Sequence, residues 1–425
     1  MSQPEDYLDI DIAQLKVGLY ITLDMHWMDH PFVTNTFKIK DEEQIKTIRH
    51  LGLKKIRYCP AKSSGKPLDP PKQASAPAPV QVSPEEQAAM QAKKERIERL
   101  SRHRQSVMKC EKQLLEATRA LKVVNHNLFS RPQESVRAAQ GLVDKMIDSL
   151  LNEKDIAIHA MNDKVAGEDV YHHSLNVSIL AMILAKEMGL PKEEISLVGL
   201  GAVFHDIGKS QIPDRILRKT EPLTKPEQNF LDQHPTYGKE IALSLRLPLP
   251  VQEIILYHHE HVDGSGYPHG LRESAISQLT RIITIVNTFD NLCNHVNIAK
   301  SLTPYEAIST MFAKQRAMFD QAALTLFIRS MGVYPPGTIV KLSNDLWGIV
   351  VSINVKKPLK PNVLVYDPEV PKQEAIVIDL DEQPDISISK TFRPAQLPRD
   401  VFDYLSPRTR ITYYFDDAHD NQNKA

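Results

Sequence analysis

The chain has 425 residues, with 52 Lys and Arg against 53 Asp and Glu, a net charge of −1 and three cysteines. Charge this balanced leaves no basic footprint for a nucleic-acid polymer, and Cys59, Cys110 and Cys293 form no Cys-x-x-Cys pair that would suggest a zinc ribbon or a disulfide framework. No apolar run of about 18 residues predicts membrane insertion, and the Met1-Ser2-Gln3-Pro4-Glu5-Asp6 start has neither the basic nor the apolar part of a signal sequence, so a cytoplasmic protein is expected.

In chain order, residues 1–60 read as a small α+β domain. Leu19-Tyr20-Ile21-Thr22-Leu23 and Lys55-Ile56-Arg57-Tyr58 have strand character, and a helix is predicted over 41–51. Residues 61–84, with Pro67, Pro70, Pro71, Pro77, Pro79 and Pro84 among Ala, Ser and Lys, read as an extended, hydrated linker. Residues 85–151 read as a helical connector. Ile97, Leu100, Val107, Leu114, Leu121 and Leu128 sustain one heptad position, while the partner positions Arg104, Glu111, Thr118 and Asn125 are polar. Two readings stay open: an amphipathic helix packed on the bundle, or a signalling helix in a homodimer. A second helix over 133–151 turns Val136, Leu142, Val143, Met146, Ile147 and Leu150 toward a core.

Residues 152–333 are expected to be all helical. The near-continuous apolar stretch from Leu175 to Met188 ends at Gly189 and Pro191, and a helix over 194–208 runs into the doublet His205-Asp206. Residues 334–405 then alternate as short strands, Thr338 to Leu342 and Trp347 to Ile353, in a small β appendage of SH3-like type, and 406–425 form a polar tail. The predicted architecture is multidomain and mainly α.

The chemistry is concentrated in His205-Asp206-Ile207-Gly208-Lys209, His234, His258-His259-Glu260 and Asp263-Gly264-Ser265-Gly266-Tyr267-Pro268. A single histidine is more often a surface or satisfied core residue than a ligand. Here eight of the sixteen fall between His172 and His269, about twice the share of an even scatter. Neutral imidazoles bind borderline metals and one carboxylate can bridge two ions, so the set with Asp206 reads as a metallohydrolase. Lys209, one helical turn beyond His205, either offers an ammonium to a phosphate oxygen or is a solvated surface residue. The two glycines and the proline of 263–268 mark a loop.

These residues, together with His173-Ser174, Lys219, Leu223-Thr224, Glu227, His234-Pro235 and Gly238, resemble in order and spacing an HD-GYP domain, a branch of the HD phosphohydrolases. Val17-Gly18-Leu19-Tyr20, Trp27 and His30-Pro31-Phe32 are similar to a domain of unassigned function found ahead of such domains. The resemblance implies an HD-type helical bundle that hydrolyses cyclic di-GMP to linear pGpG, and in some members on to GMP. It implies one metal on His173, His205 and Asp206, and a second on Asp206, His234, His258 and His259. Asp206 and Lys209 would be catalytic, and Lys209, Gly266, Tyr267, Pro268 and Arg281 would meet substrate, with the Gly-Tyr-Pro loop also serving support and recognition. A His-rich, carboxylate-poor set suits two divalent iron, manganese or nickel ions better than magnesium.

One departure stands out. After Arg281 the family reaches a ligand Asp, and here that position is Asn287, whose neutral amide should hold an ion more weakly; Asp290 follows as the second, structural Asp of the pattern. Asp169, four residues before His173, stands where trinuclear members carry Glu, so a third ion is the less favoured count. The alternatives to a phosphodiesterase are a weakly catalytic cyclic di-GMP-binding module acting through a partner such as a diguanylate cyclase, and an HD phosphohydrolase for another nucleotide.

Overall fold

The computed structural model describes residues 7–25, 30–32, 36–69, 84–152, 156–161, 169–297, 300–353, 357–368, 370, 372, 375–405 and 412–417. It divides into two compact units, residues 1–103 with 366–377, and residues 104–365 with 378–425.

The first unit holds a four-stranded antiparallel sheet. Its strands β1 (Leu8–Asp11), β2 (Tyr20–Thr22), β3 (Thr36–Lys38) and β4 (Lys55–Tyr58) are ordered β1-β4-β2-β3. Helix α1 (Glu42–His50) is capped by the Asp41 carboxylate on the Gln44 N–H and buries Ile45 and Ile48 among Leu15, Leu19, Ile21, Leu23, Ile39 and Ile56. The segment expected to start a hydrated linker at residue 61 instead returns to this sheet. The Tyr20 N–H donates to Ser63 Oγ at 2.8 Å, Ser64 N–H to the Gly18 carbonyl at 2.8 Å, and Leu68 N–H to the Gln14 carbonyl at 2.9 Å. These bonds end at Leu68, and residues 70–83 of the predicted linker lie outside the described residues.

Helix α2 (Pro84–Asn127) and α3 (Pro132–Asn152) agree with the predicted connector helices. Leu114, Leu121 and Leu128 of the heptad stripe are buried in the helical core. Thr118 is buried as well, its hydroxyl satisfied by the Leu114 carbonyl at 2.8 Å. Over 114–128 the stripe therefore packs on the bundle; the side chains of Ile97, Leu100 and Val107 are outside the described residues.

Residues 152–333 are not all helical. Strand β5 (Ile156–Met161) precedes the bundle helices α4 (Asp169–Glu187), α5 (Lys192–Phe204), α6 (Asp214–Leu217), α7 (Lys225–Leu231), α8 (His234–Ser244), α9 (Leu249–Tyr257), α10 (Gln278–Cys293), α11 (Pro304–Ala313) and α12 (Gln321–Met331). The apolar run of α4 is near-continuous because the helix is enclosed: every residue from Leu175 to Leu184 except Asn176 and Ser178 is apolar, and all are buried. Each large aliphatic side chain fully withdrawn from water contributes about 1.5–3 kcal/mol. Ser178 offsets the cost of burial by donating to the Gly199 carbonyl. Helix α4 stops at Gly189, which takes φ +74° while the Leu190 N–H returns to the Ala185 carbonyl.

After the bundle helices the chain forms a five-stranded sheet of β6 (Ile339–Leu342), β7 (Trp347–Ser352), β8 (Asn362–Val365), β9 (Ile376–Asp379) and β10 (Ile388–Phe392), in the order β10-β6-β7-β8-β9. Helix α13 (Arg399–Leu405) follows. Part of the segment expected to be a polar tail is strand β11 (Thr412–Asp417), antiparallel to β5 over the register from Thr412↔Met161 to Asp417↔Ile156. Among the described residues, no helix is long and apolar enough to cross a membrane.

Candidate metal centre

Four helices deliver the histidine ligands to one place. His173 lies in the second turn of α4, His205 directly follows α5, His234 opens α8, and His258 caps α9 with His259 behind it. The predicted helix over 194–208 ends earlier, at Phe204: Asp206 has left helical geometry, and Ile207–Gln211 form a 3-10 turn. In such a turn side chains three apart are eclipsed, which is why Lys209 Nζ stands 2.5 Å from Asp206 Oδ2. The turn lies directly against α8. A Cβ on Gly208 would meet the His234 carbonyl oxygen at 1.9 Å and the Gly238 nitrogen at 2.5 Å, so only glycine lets the backbone bring Asp206 up to His234.

The Asp206 carboxylate divides its oxygens between two groups. His173 Nε2 and His205 Nε2 are 3.5 and 3.4 Å from Oδ2; His234 Nε2 and His258 Nε2 are 3.3 and 3.7 Å from Oδ1. The ligand atoms of His173, His205 and Asp206, and those of Asp206, His234, His258 and His259, lie within 4.8 Å of one another in each set. These are the two sets expected from the sequence.

Hydrogen bonds hold the imidazole tautomers. His205, His234 and His258 each place Nδ1 on the carbonyl three residues back, Ala202, Leu231 and Ile255, at 2.7, 2.7 and 2.9 Å, so Nδ1 carries the proton. His173 Nδ1 is 2.6 Å from Asp290 Oδ2. The Nε2 lone pairs therefore face inward, those of His173 and His205 at 3.1 Å and those of His234 and His258 at 3.2 Å. Lone pairs that close repel unless a cation lies against both. Asp206 Oδ1 is buried with no hydrogen bond. The donor set thus fits divalent metal: a buried carboxylate oxygen and converging imidazole nitrogens, all lacking protons.

The electrostatics agree. Burial pushes the Asp206 carboxyl up, but Lys209 and His205 outweigh it and hold the group well below its ordinary value. Burial, with the neighbouring histidines, lowers His258 to about 3 and His259 well below its usual range. Both stay neutral at physiological pH, the form that binds metal.

Other predicted residues sit as follows. Asn287 is buried in α10 and its Oδ1 accepts from Asn291 Nδ2 at 2.8 Å. Asp290 meets His173 through Oδ2 and takes Asn176 Nδ2 at 2.7 Å and Asn294 Nδ2 at 3.0 Å on Oδ1, as a residue that orients the ligand helix. Arg281, expected at the substrate, has its Nη1 between Glu273 at 3.1 Å and Asp320 at 2.9 Å. Asp320 in turn caps α12, so these ion pairs give Arg281 a bracing position. Asp169 opens α4, but its side chain is outside the described residues. Gly266 crosses the backbone after His259, where a Cβ would lie 2.4 Å from the His259 carbonyl oxygen, and Tyr267 stacks on the His259 ring at 4.6 Å and 15°. Sequence reading assigned no role to Glu260, which is buried and accepts the His269 and Leu271 N–H groups at 2.7 and 2.8 Å. Its place directly after two ligands was the available signal.

Residues 145–323 match the family model described as HD domain, and residues 7–139 match a domain of unknown function, DUF3391. The chain is 29% identical over 362 residues to a cyclic di-GMP phosphodiesterase of Pseudomonas aeruginosa, covering 84% of each protein. It is 34% identical over 155 residues to a cyclic di-GMP phosphodiesterase response regulator of Xanthomonas campestris pv. campestris, covering 36% of this chain and 41% of that protein. It is 35% identical over 141 residues to 3'3'-cGAMP-specific phosphodiesterase 1 of Vibrio cholerae, covering 33% of each. Residues 145–323, the segment that matches the HD domain, carry the histidine and aspartate cluster, and the segment that matches DUF3391 precedes them.

Proposed function

We propose that this chain is a metal-dependent phosphodiesterase that hydrolyses cyclic di-GMP to linear pGpG. The observation that carries the reading is the division of the buried Asp206 carboxylate between two histidine groups whose Nε2 lone pairs all face inward. Divalent ions bound by these groups would supply an acidified water and charge compensation for a phosphoryl group. The protein's own part is to orient the histidines, through the Ala202, Leu231 and Ile255 carbonyls and Asp290. Lys209, partly exposed, keeps one ammonium N–H on Asp206 and has others to offer a phosphate oxygen. The nitrogen-rich donor set favours iron, manganese or nickel over magnesium. The 84% coverage of the Pseudomonas relative supports cyclic di-GMP as the substrate, and the Vibrio relative makes 3'3'-cGAMP the comparison to run.

The test is metal analysis of anaerobically purified protein together with product analysis on both dinucleotides. Two ions per chain and conversion of cyclic di-GMP to pGpG are expected. Metal-loaded protein that leaves cyclic di-GMP intact would refute the assignment, and faster turnover of 3'3'-cGAMP would move the substrate.

A further inference from the structure

Four of the cluster histidines are oriented by hydrogen bonds on Nδ1: three to backbone carbonyls and His173 to Asp290. His259 differs. Among the described residues its ring nitrogens have no hydrogen-bond partner, yet it belongs to the ligand set with Asp206, His234 and His258. What fixes its plane is ring contact. Tyr267 lies nearly parallel to it, with centroids 4.6 Å apart and planes at 15°, and the rings of His258 and His234 lie at 4.2 and 5.1 Å.

The Tyr267 ring is itself held by a braced loop. The Tyr267 N–H donates to the His259 carbonyl at 3.2 Å, Ser265 N–H to Asp263 Oδ1 at 2.9 Å, and Glu273 N–H to the Val262 carbonyl at 3.1 Å. The buried Glu260 carboxylate takes the His269 and Leu271 N–H groups just past the proline. Gly266 allows the loop to lie on the backbone of residues 259–261, where any side chain would collide. A ligand without a hydrogen-bonded orienting partner must be held some other way, or its free rotation about χ2 costs affinity.

We infer that Tyr267 is a positioning residue for the metal ligand His259, fixing its ring by stacking where the other histidines use hydrogen bonds, with Glu260 anchoring the loop that presents it. The inference rests on the two-metal reading above and assigns this loop a role at the metal, separate from any contact with substrate or a partner protein.

The experiment titrates metal-stripped full-length protein with manganese alone, following bound and free ion by electron paramagnetic resonance, with no substrate present. Wild type should take up two ions. Tyr267→Ala should retain one ion at wild-type affinity and weaken the other by about 10- to 100-fold, the range for losing a residue that orients a ligand. His259→Ala should weaken that same ion, and Tyr267→Phe, which keeps the ring, should restore wild-type binding. If Tyr267→Ala does not fold by circular dichroism, Tyr267→Leu keeps the apolar volume without the flat face and should show the same selective loss. Two tightly held ions in Tyr267→Ala or Tyr267→Leu would overturn the inference, as would equal loss in Tyr267→Phe. Wild type that binds no manganese would instead overturn the two-metal reading and this inference with it.

Discussion

At the scale of single residues, Asp206 connects the two halves of the site. Asp206→Ala removes both carboxylate oxygens from facing histidine pairs, and should reduce bound metal and lower turnover by several orders of magnitude while circular dichroism stays helical. Lys209→Ala is expected to separate binding from chemistry: metal occupancy unchanged, kcat/KM down by roughly ten- to a thousandfold, as for losing one electrostatic contact to a transferring phosphoryl group. Loss of metal in that variant would show that the ion pair with Asp206 is structural. His258 provides a stability test. Its pKa falls from the ordinary 6.5 to about 3 because burial disfavours the imidazolium, so between those pH values the unfolded chain binds a proton that the native one does not. Its contribution is present above about pH 6.5 and is lost as pH falls toward 3. Urea midpoints of metal-free protein should therefore drop steadily below pH 6.5, and His258→Gln should show a shallower drop; parallel slopes would mean that other groups carry the effect.

At the scale of elements, the ligand-bearing residues were legible because each is announced locally. His205-Asp206 and His258-His259 are adjacent pairs, and His234 opens a helix beside a proline. The groups that orient them were not. Asp290 reaches His173 across 117 residues, and Arg281 meets Asp320 only once α10 and α12 have packed, so neither contact could be read from the sequence. The change from α5 to a 3-10 turn at the doublet was also hidden, because it follows from the backbone contact of Gly208 with α8. Helix α10 carries the departure that the sequence did expose. Asn287 shares its buried face with Asp290 and has its oxygen engaged by Asn291. Asn287→Asp places a carboxylate there, and should tighten the more weakly held ion in a manganese titration if residue 287 faces the metals. Turnover need not rise, since a more neutralised ion acidifies its water less. Unchanged affinity would place residue 287 outside the ligand set.

At the scale of the whole chain, the element that sequence reading missed entirely is the β5 and β11 pair. Each strand alone is six residues in a stretch otherwise read as helix or polar tail, and neither has a hairpin turn to announce its partner, which lies some 250 positions away in the register Thr412↔Met161. Such a pairing closes a very long loop, and its stability must come from the folded bundle between the two strands. Strand β5 lies just ahead of α4, the helix that carries His173, so the far end of the chain supports the entry to a ligand helix. A chain ending at Leu405 should consequently melt lower than one ending at Asp417, by roughly 2–4 °C for each kcal/mol the six paired residues contribute. The Asp417-terminated chain should keep the full-length melting temperature. Manganese titration of the two should show the loss reaching the ion held by His173 and His205 before the one held by His234 and His258, because only the first set includes α4. Equal melting temperatures and equal affinities would mean that β11 lies along β5 without supporting the site.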